Sequence, residues 1–527
     1  MNYLDFGIIA AYLLAMLLLG YYFRDNATGR DYFLGKKGFG WFPVGLSVLA
    51  TQLSAVSFLS VPAFVGAKAD GGMLWVSGEL HAPITMLVLM VLLIPPLYRS
   101  GVISIYGFLE RRLGASTRKI VSALFLVNRA LATGIMVYAV CLLLDASMDI
   151  PFWWGLFSMG VITIVYSWQG GMRAVVYGDA SQMIILLVGI LACIYYGIDH
   201  LGGVGGWIAS VDPQRAVAVD LDAWGIGGDG DYGFWPLLIG GFFISVAYYG
   251  TDQSEAQRFL SSSDLPTLRR SLVFVGLIRY PVMCLYGLVG LVVGPLMLGD
   301  STYGGEIAAE ADRMMPHFIN NYLPNGVIGL IVVAILASAM SSLSSAVNSL
   351  SAVTVDAWQR ATGEMSQQAT VRTSRTSSIV WGLFILAVAS GVGRADDTLV
   401  EVIAQIGSIS FAPVLAVFVL AILVPRATAS VANLGLAAGV ATNLFLWLVV
   451  GDNLFWIWWN VTGFVAAFGV MLMMVALGST AVENTENRLD LRPDWTALRS
   501  WEALVLLLWF GLMLVVSFSW PAMLGVA

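Results

Sequence analysis

Residues 46–64 read LSVLATQLSAVSFLSVPAF, an apolar run whose centre carries Thr51, Gln52, Ser54, Ser57 and Ser60 ahead of Pro62. A helix facing lipid needs only apolar side chains, so a polar cluster at mid-span marks a place with another task. Hydroxyls can satisfy carbonyls freed where a helix unwinds, and unwound backbone is tolerated in a bilayer only against protein or a water-filled cavity. Hydroxyls bonding a neighbouring helix are the alternative. Residues 242–260, FFISVAYYGTDQSEAQRFL, are interrupted in the same way at 248–253. The two interruptions lie five spans apart, and an odd offset puts the two helices in opposite orientations. That is the pattern of a five-plus-five inverted repeat, with its binding site where two discontinuous helices meet near the midplane.

Composition agrees. The chain has 527 residues, 58% hydrophobic and 11% charged, with mean hydropathy +0.83. Continuous apolar blocks, rather than alternation with period two, predict an all-α integral membrane protein and not a barrel. At about 20 residues per span, the blocks give about fourteen transmembrane helices. The predicted organisation is a first helix and loop over 1–40, one five-helix repeat over 41–199, an external loop over 200–232, the second repeat over 233–425 and three C-terminal helices over 426–527. The opening MNYLDFGIIAAY has no basic stretch or small-residue cleavage site, so it reads as a permanent helix. Cys141, Cys193 and Cys284 sit in apolar blocks and form neither a disulfide framework nor a metal-ligand set. Of the 26 Lys and Arg, 20 fall in alternate loops, which the positive-inside rule makes cytoplasmic and both termini extracytoplasmic. Arg129 and Arg279 fall within spans.

Residues 330–353 add a second signal. Ser338, Ser341, Ser342, Ser345, Asn348 and Ser349 recur at helical spacing and make one polar stripe on one face. Neutral hydroxyls and carbonyls suit a hard monovalent cation, so this stripe opposite an unwound helix predicts a sodium site. Close packing through small residues is the competing explanation. Asp179 either ligates a second cation or caps a helix start. Arg129 lies roughly 16 Å into its span at 1.5 Å per residue, too deep to reach water easily. At mid-helix it costs about 2.5–3.5 kcal/mol, which a bidentate carboxylate partner would offset. That partner is a solute carboxylate or Glu79. His81 reads as a hydrogen-bonded core residue.

These motifs, LATQLSAVSF, GGMRAVVYGDASQ, YYGTDQSEAQR and ASAMSSLSSAVNS, together resemble the solute:sodium symporter family, over about residues 5–425. The resemblance implies a LeuT-type fold with one helix before the repeat and three after it. It implies a main sodium site on the carbonyls of Ala50, Leu53 and Ser338 with the hydroxyls of Ser341 and Ser342. A second sodium site would use Asp179, Ser341, Ser344 and Ser345. Solute contacts would fall on Ser54, Ser57, Glu79, Arg129 and Tyr248, with Tyr248 as an aromatic gate.

The expected function is sodium-coupled symport of a small organic solute by alternating access. Arg129 favours a carboxylate-bearing solute, an acidic sugar of the sialic acid kind or a monocarboxylate, over a neutral sugar. Sodium is co-transported, the bilayer of a bacterial inner membrane is the setting, a monomer suffices, and no nucleic acid is involved. A membrane-embedded enzyme would need a nucleophile or metal set that three scattered histidines and three cysteines do not supply. A membrane sensor would need a signalling domain that the short loops leave no room for.

Overall fold

The computed structural model describes residues 1–525 except 26–27, 36–37, 54, 149, 229, 364, 392–398 and 479–491. The described residues are helical, with isolated bridges and no strands. In chain order the principal helices are α1 (Tyr3–Tyr22), α2 (Trp41–Gln52), α3 (Ala55–Gly66) and α4 (Met73–Ser100). Then come α5 (Ala115–Met148), α6 (Phe152–His200), α7 (Gly241–Thr251), α8 (Gln253–Leu260) and α9 (Leu265–Leu298). The chain continues with α10 (Val327–Thr362), α11 (Gln367–Gly391), α12 (Leu399–Leu423), α13 (Ala429–Phe445), α14 (Trp459–Ala476) and α15 (Trp501–Met523).

Among the described residues, nine helices are long and apolar enough to cross a membrane, or ten if α2 and α3 count as one bent span. α7 and the 407–423 part of α12 are shorter apolar segments. The long α6 is two helical parts joined by a kink. They join at Gly171, whose φ of 54° and ψ of −147° break the helix within α6. A side chain there would strike the carbonyl of Tyr32, so glycine is required by both conformation and space.

Burial decides which helices matter for a site. α10 is buried along nearly all of its apolar length, whereas α1, α13 and α15 expose most of theirs. α10 packs against α6, and α3 against α9. The α3–α9 contact is close because glycines face each other: a Cβ on Gly294 would lie 2.6 Å from the Gly66 Cα. Asp5 fixes the start of α10 to the start of α1. Its carboxylate closes a capping box with Asn2 and accepts the backbone N–H groups of Gly326 at 2.6 Å and Gly329 at 2.8 Å.

Candidate functional site

Both predicted helix interruptions are present. α2 stops at Gln52, Leu53 takes φ −84° and ψ 90°, and α3 leaves at 63° to α2. α7 stops at Thr251, and Asp252, at φ −86° and ψ 126°, also caps α8 by accepting the Ser254 N–H at 2.7 Å. Just before each break a threonine bonds back one turn along its own helix: Thr51 Oγ1 to the Ser47 carbonyl at 2.9 Å, and Thr251 Oγ1 to the Ala247 carbonyl at 2.7 Å. Each hydroxyl thereby satisfies itself inside the bundle and leaves the last carbonyls of its helix open to another partner.

The last carbonyls of α2 carry the negative end of its dipole and face the serine stripe of α10. Ser338 Oγ donates to the Leu53 carbonyl, and Ser342 Oγ lies 3.4 Å from that of Thr51. Ala50, on the last turn of α2, and Ser341 are buried alongside. The residues anticipated for the main sodium therefore gather between α2 and α10. Ser54 lies outside the described residues.

The anticipated second sodium cluster holds a different cation. Asp179, fully buried on α6, accepts Ser341 Oγ at 2.7 Å on one oxygen. Its other oxygen accepts Ser47 Oγ at 2.6 Å and Arg258 Nη2 at 2.8 Å. Arg258 also donates to Ser47 Oγ at 2.8 Å and to Ser345 Oγ, and is 1% exposed. Sequence reasoning put Arg258 among the cytoplasmic loop cations; it lies inside the bundle on α8. Its guanidinium stands where Asp179, Ser341 and Ser345 were expected to bind an ion, because a buried carboxylate needs a counter-charge and this chain provides one covalently. Ser344 instead bonds back to the Ser341 carbonyl at 3.0 Å. The missed signal was distance: Arg258 is only six residues past the Asp252 break, still at membrane depth.

Beside the first interruption lies a cavity of about 410 Å³, bordered by Thr51, Gln52 and Ser342 on the side where α2 meets α10. Arg129 and Tyr248 also line it. Arg129 Nη1 donates to the Tyr248 hydroxyl at 2.9 Å and lies 3.8 Å from Asp252, while its Nε has no partner among the described residues. Tyr248 in turn meets the Phe411 ring edge-on at 5.8 Å. Much of the remaining lining is apolar, including Val56, Leu124, Phe125 and Met136.

Glu79 is not the partner of Arg129. Arg279 holds both of its oxygens, Nε to Oε2 at 2.9 Å and Nη2 to Oε1 at 2.7 Å. Glu79 does not line the cavity; Arg279 does, with Nη1 unpartnered among the described residues. Ser57 is likewise not among the lining residues, although its neighbour Val56 is. His81 is buried, 3.3 Å from Thr85 Oγ1 and 3.3 Å from Ser245 Oγ.

The sodium:solute symporter family pattern matches residues 32–439. Human sodium-coupled monocarboxylate transporter 2 is 27% identical over 455 residues, covering 85% of this chain and 72% of that protein. Rabbit (Oryctolagus cuniculus) sodium-dependent multivitamin transporter is 27% identical over 463 residues, covering 85% and 70%. A solved Na⁺-coupled sialic acid symporter, in a substrate-bound outward-open state, superimposes with TM-score 0.79 at 23% identity, covering 92% of this chain and 99% of its own.

Proposed function

The chain belongs to the sodium:solute symporter family, and from that premise we propose that its solute is a monocarboxylate held by Arg129. The protein is a multi-pass membrane transporter that couples a small organic solute to sodium, and no chemistry on the solute is required. The observation that carries the carboxylate is the state of Arg129. Glu79 is consumed by Arg279, so a deeply buried guanidinium faces the cavity with one phenol bonded, a carboxylate 3.8 Å away and a donor to spare. A solute carboxylate would take the remaining donor capacity. The apolar part of the wall, with Val56, Leu124, Phe125 and Met136, suits a monocarboxylate with an apolar body. Relatives named for monocarboxylate transport point the same way. A neutral sugar would leave both Arg129 and its surroundings unused.

Sodium binds between α2 and α10 on the carbonyls of Ala50, Leu53 and Ser338 and the hydroxyls of Ser341 and Ser342. Sodium in that cage holds the first interruption in place beside the cavity, so ion and solute each raise the other's affinity by the same factor. The two threonine-capped breaks, Thr51 and Thr251, support an inverted repeat of residues 41–199 and 233–425 within a fourteen-helix bundle. One repeat rocking against the other alternates access, with Tyr248 as the gate against the solute. The distribution of basic residues supports both termini outside; we take the setting to be a bacterial inner membrane and the working unit a monomer.

A thermal-shift screen of sugars, acidic sugars and monocarboxylates, with sodium and with choline, tests the reading. Monocarboxylates should stabilise the protein only with sodium and only while Arg129 is present. Equal stabilisation of wild type and Arg129→Ala by a neutral sugar contradicts it.

A further inference from the structure

Glu255, in the first turn of α8, is fully buried, and neither carboxyl oxygen has a hydrogen-bond partner among the described residues. An acid three residues past the cap ordinarily completes a capping box by accepting the cap's own N–H. Here the Asp252 N–H is directed to the Tyr248 carbonyl at 3.4 Å instead. The cations within electrostatic reach are Arg258 and Arg129. Neither bonds Glu255: Arg258 is held by Asp179 and Ser47, and Arg129 is bonded to Tyr248 with Asp252 nearby and its spare donor at the cavity. The acids facing Glu255 are Asp252 and Asp179, so three carboxyls share two guanidiniums.

No other neighbour of α8 makes up the deficit. Tyr249 of α7, with its own hydroxyl unpartnered among the described residues, brings no charge. α2 has no titratable side chain, and those of α10, Asp356 and Arg360, pair with each other. Tyr32, Tyr98 and Tyr106 bond backbone carbonyls, and Arg279 of α9 holds Glu79. A buried carboxylate with no bonded donor, in a group where three carboxyls face two guanidiniums, is disfavoured and takes up a proton.

We propose that Glu255 is a proton-binding site linked to sodium: its carboxyl is neutral while no sodium is bound, and it gives the proton to water when sodium loads between α2 and the α10 hydroxyls. The O–H bond breaks, the proton leaves, and the charge left on Glu255 offsets the arriving ion. The two places are joined mechanically, since Ser254 Oγ lies 2.8 Å from Ser349 Oγ and Gln257 bonds Asn348 at 2.7 Å, tying α8 to α10. Linkage is reciprocal, so acid weakens sodium binding, by at most about tenfold per pH unit for one proton. The proposal rests on the sodium-symport reading.

Sodium alone is the probe, added to the purified full chain in weakly buffered solution with a pH-indicator dye. Sodium, and not choline, should release protons from wild type, and infrared difference spectra should lose a protonated-carboxyl carbonyl band. Glu255→Gln, isosteric with the neutral acid, should release none and bind sodium with an affinity that no longer follows pH. Glu255→Asp should restore release. Sodium binding, seen as a thermal shift, without proton release or the infrared band in wild type overturns the proposal and leaves symport intact. Release from Glu255→Gln equal to wild type also overturns it. If sodium gives wild type no thermal shift at all, the symport reading falls and takes the proposal with it.

Discussion

Arg258 Nη2 stands 2.8 Å from Asp179 Oδ2, with both side chains almost wholly withdrawn from solvent. The chain thus supplies its own cation at a carboxylate that also accepts a serine from α10. Asp179 is bonded at the same time to α2, through Ser47, so the pair joins the interrupted helix, the serine helix and α8.

Removing that cation should expose Asp179 to ions. Arg258→Met leaves a buried carboxylate unpaired, which costs about 3–5 kcal/mol. Sodium can partly replace the lost charge. Thermal unfolding in sodium and in choline chloride should show a larger sodium-specific rise in Tm for the variant than for wild type. An equal rise in both proteins would show that no ion reaches Asp179.

Glu79 and Arg279 form another buried pair that a single change unbalances. Glu79→Gln should lower stability by about 3–5 kcal/mol, because Arg279 then lies uncompensated. Replacing both by leucine should recover much of that loss, as apolar replacements of buried pairs do. Thermal unfolding of the single and double variants checks this.

Arg129 should not tolerate lysine. A point charge has neither the planar fork nor the reach to serve Tyr248 and a solute carboxylate together. Arg129→Lys should weaken carboxylate binding by about 1.5–3 kcal/mol, the worth of a charged hydrogen bond, with stability nearly kept. Calorimetric titration with a monocarboxylate in sodium measures it.

Asp494 precedes α15. Burial raises its proton affinity, but the Thr496 hydroxyl at 2.5 Å and the guanidinium groups of Arg269 and Arg99 outweigh that and hold the carboxyl below its usual range. A lowered native value stabilises the fold above the unfolded-state value of about 3.9, and that stability is lost as pH falls through the native value. Asp494→Asn should therefore unfold at lower temperature at neutral pH, and the difference from wild type should shrink in acid.

The two helix breaks and the serine stripe were legible because each is a local departure from an apolar pattern that lipid contact otherwise imposes. Partners were not. Arg279 was visible as an intramembrane charge and Glu79 as an acid, yet 200 residues separate them, and nothing local says which arginine a carboxylate meets. Arg258 was misplaced because loop assignment by basic content treats every arginine near a helix end as wet. The kink within α6 was not legible for a similar reason: Gly171 breaks the helix with a single residue, which a count of apolar residues does not register.

The central claim is that sodium bound between α2 and α10 drives solute uptake. Uptake of a radiolabelled monocarboxylate into proteoliposomes, driven by an inward sodium gradient, tests it in wild type and in the Ser341→Ala, Ser342→Ala double variant. Wild type should accumulate solute only with the gradient, and the double variant, folded and inserted, should lose that dependence. Sodium-driven accumulation that survives intact in the double variant would contradict it.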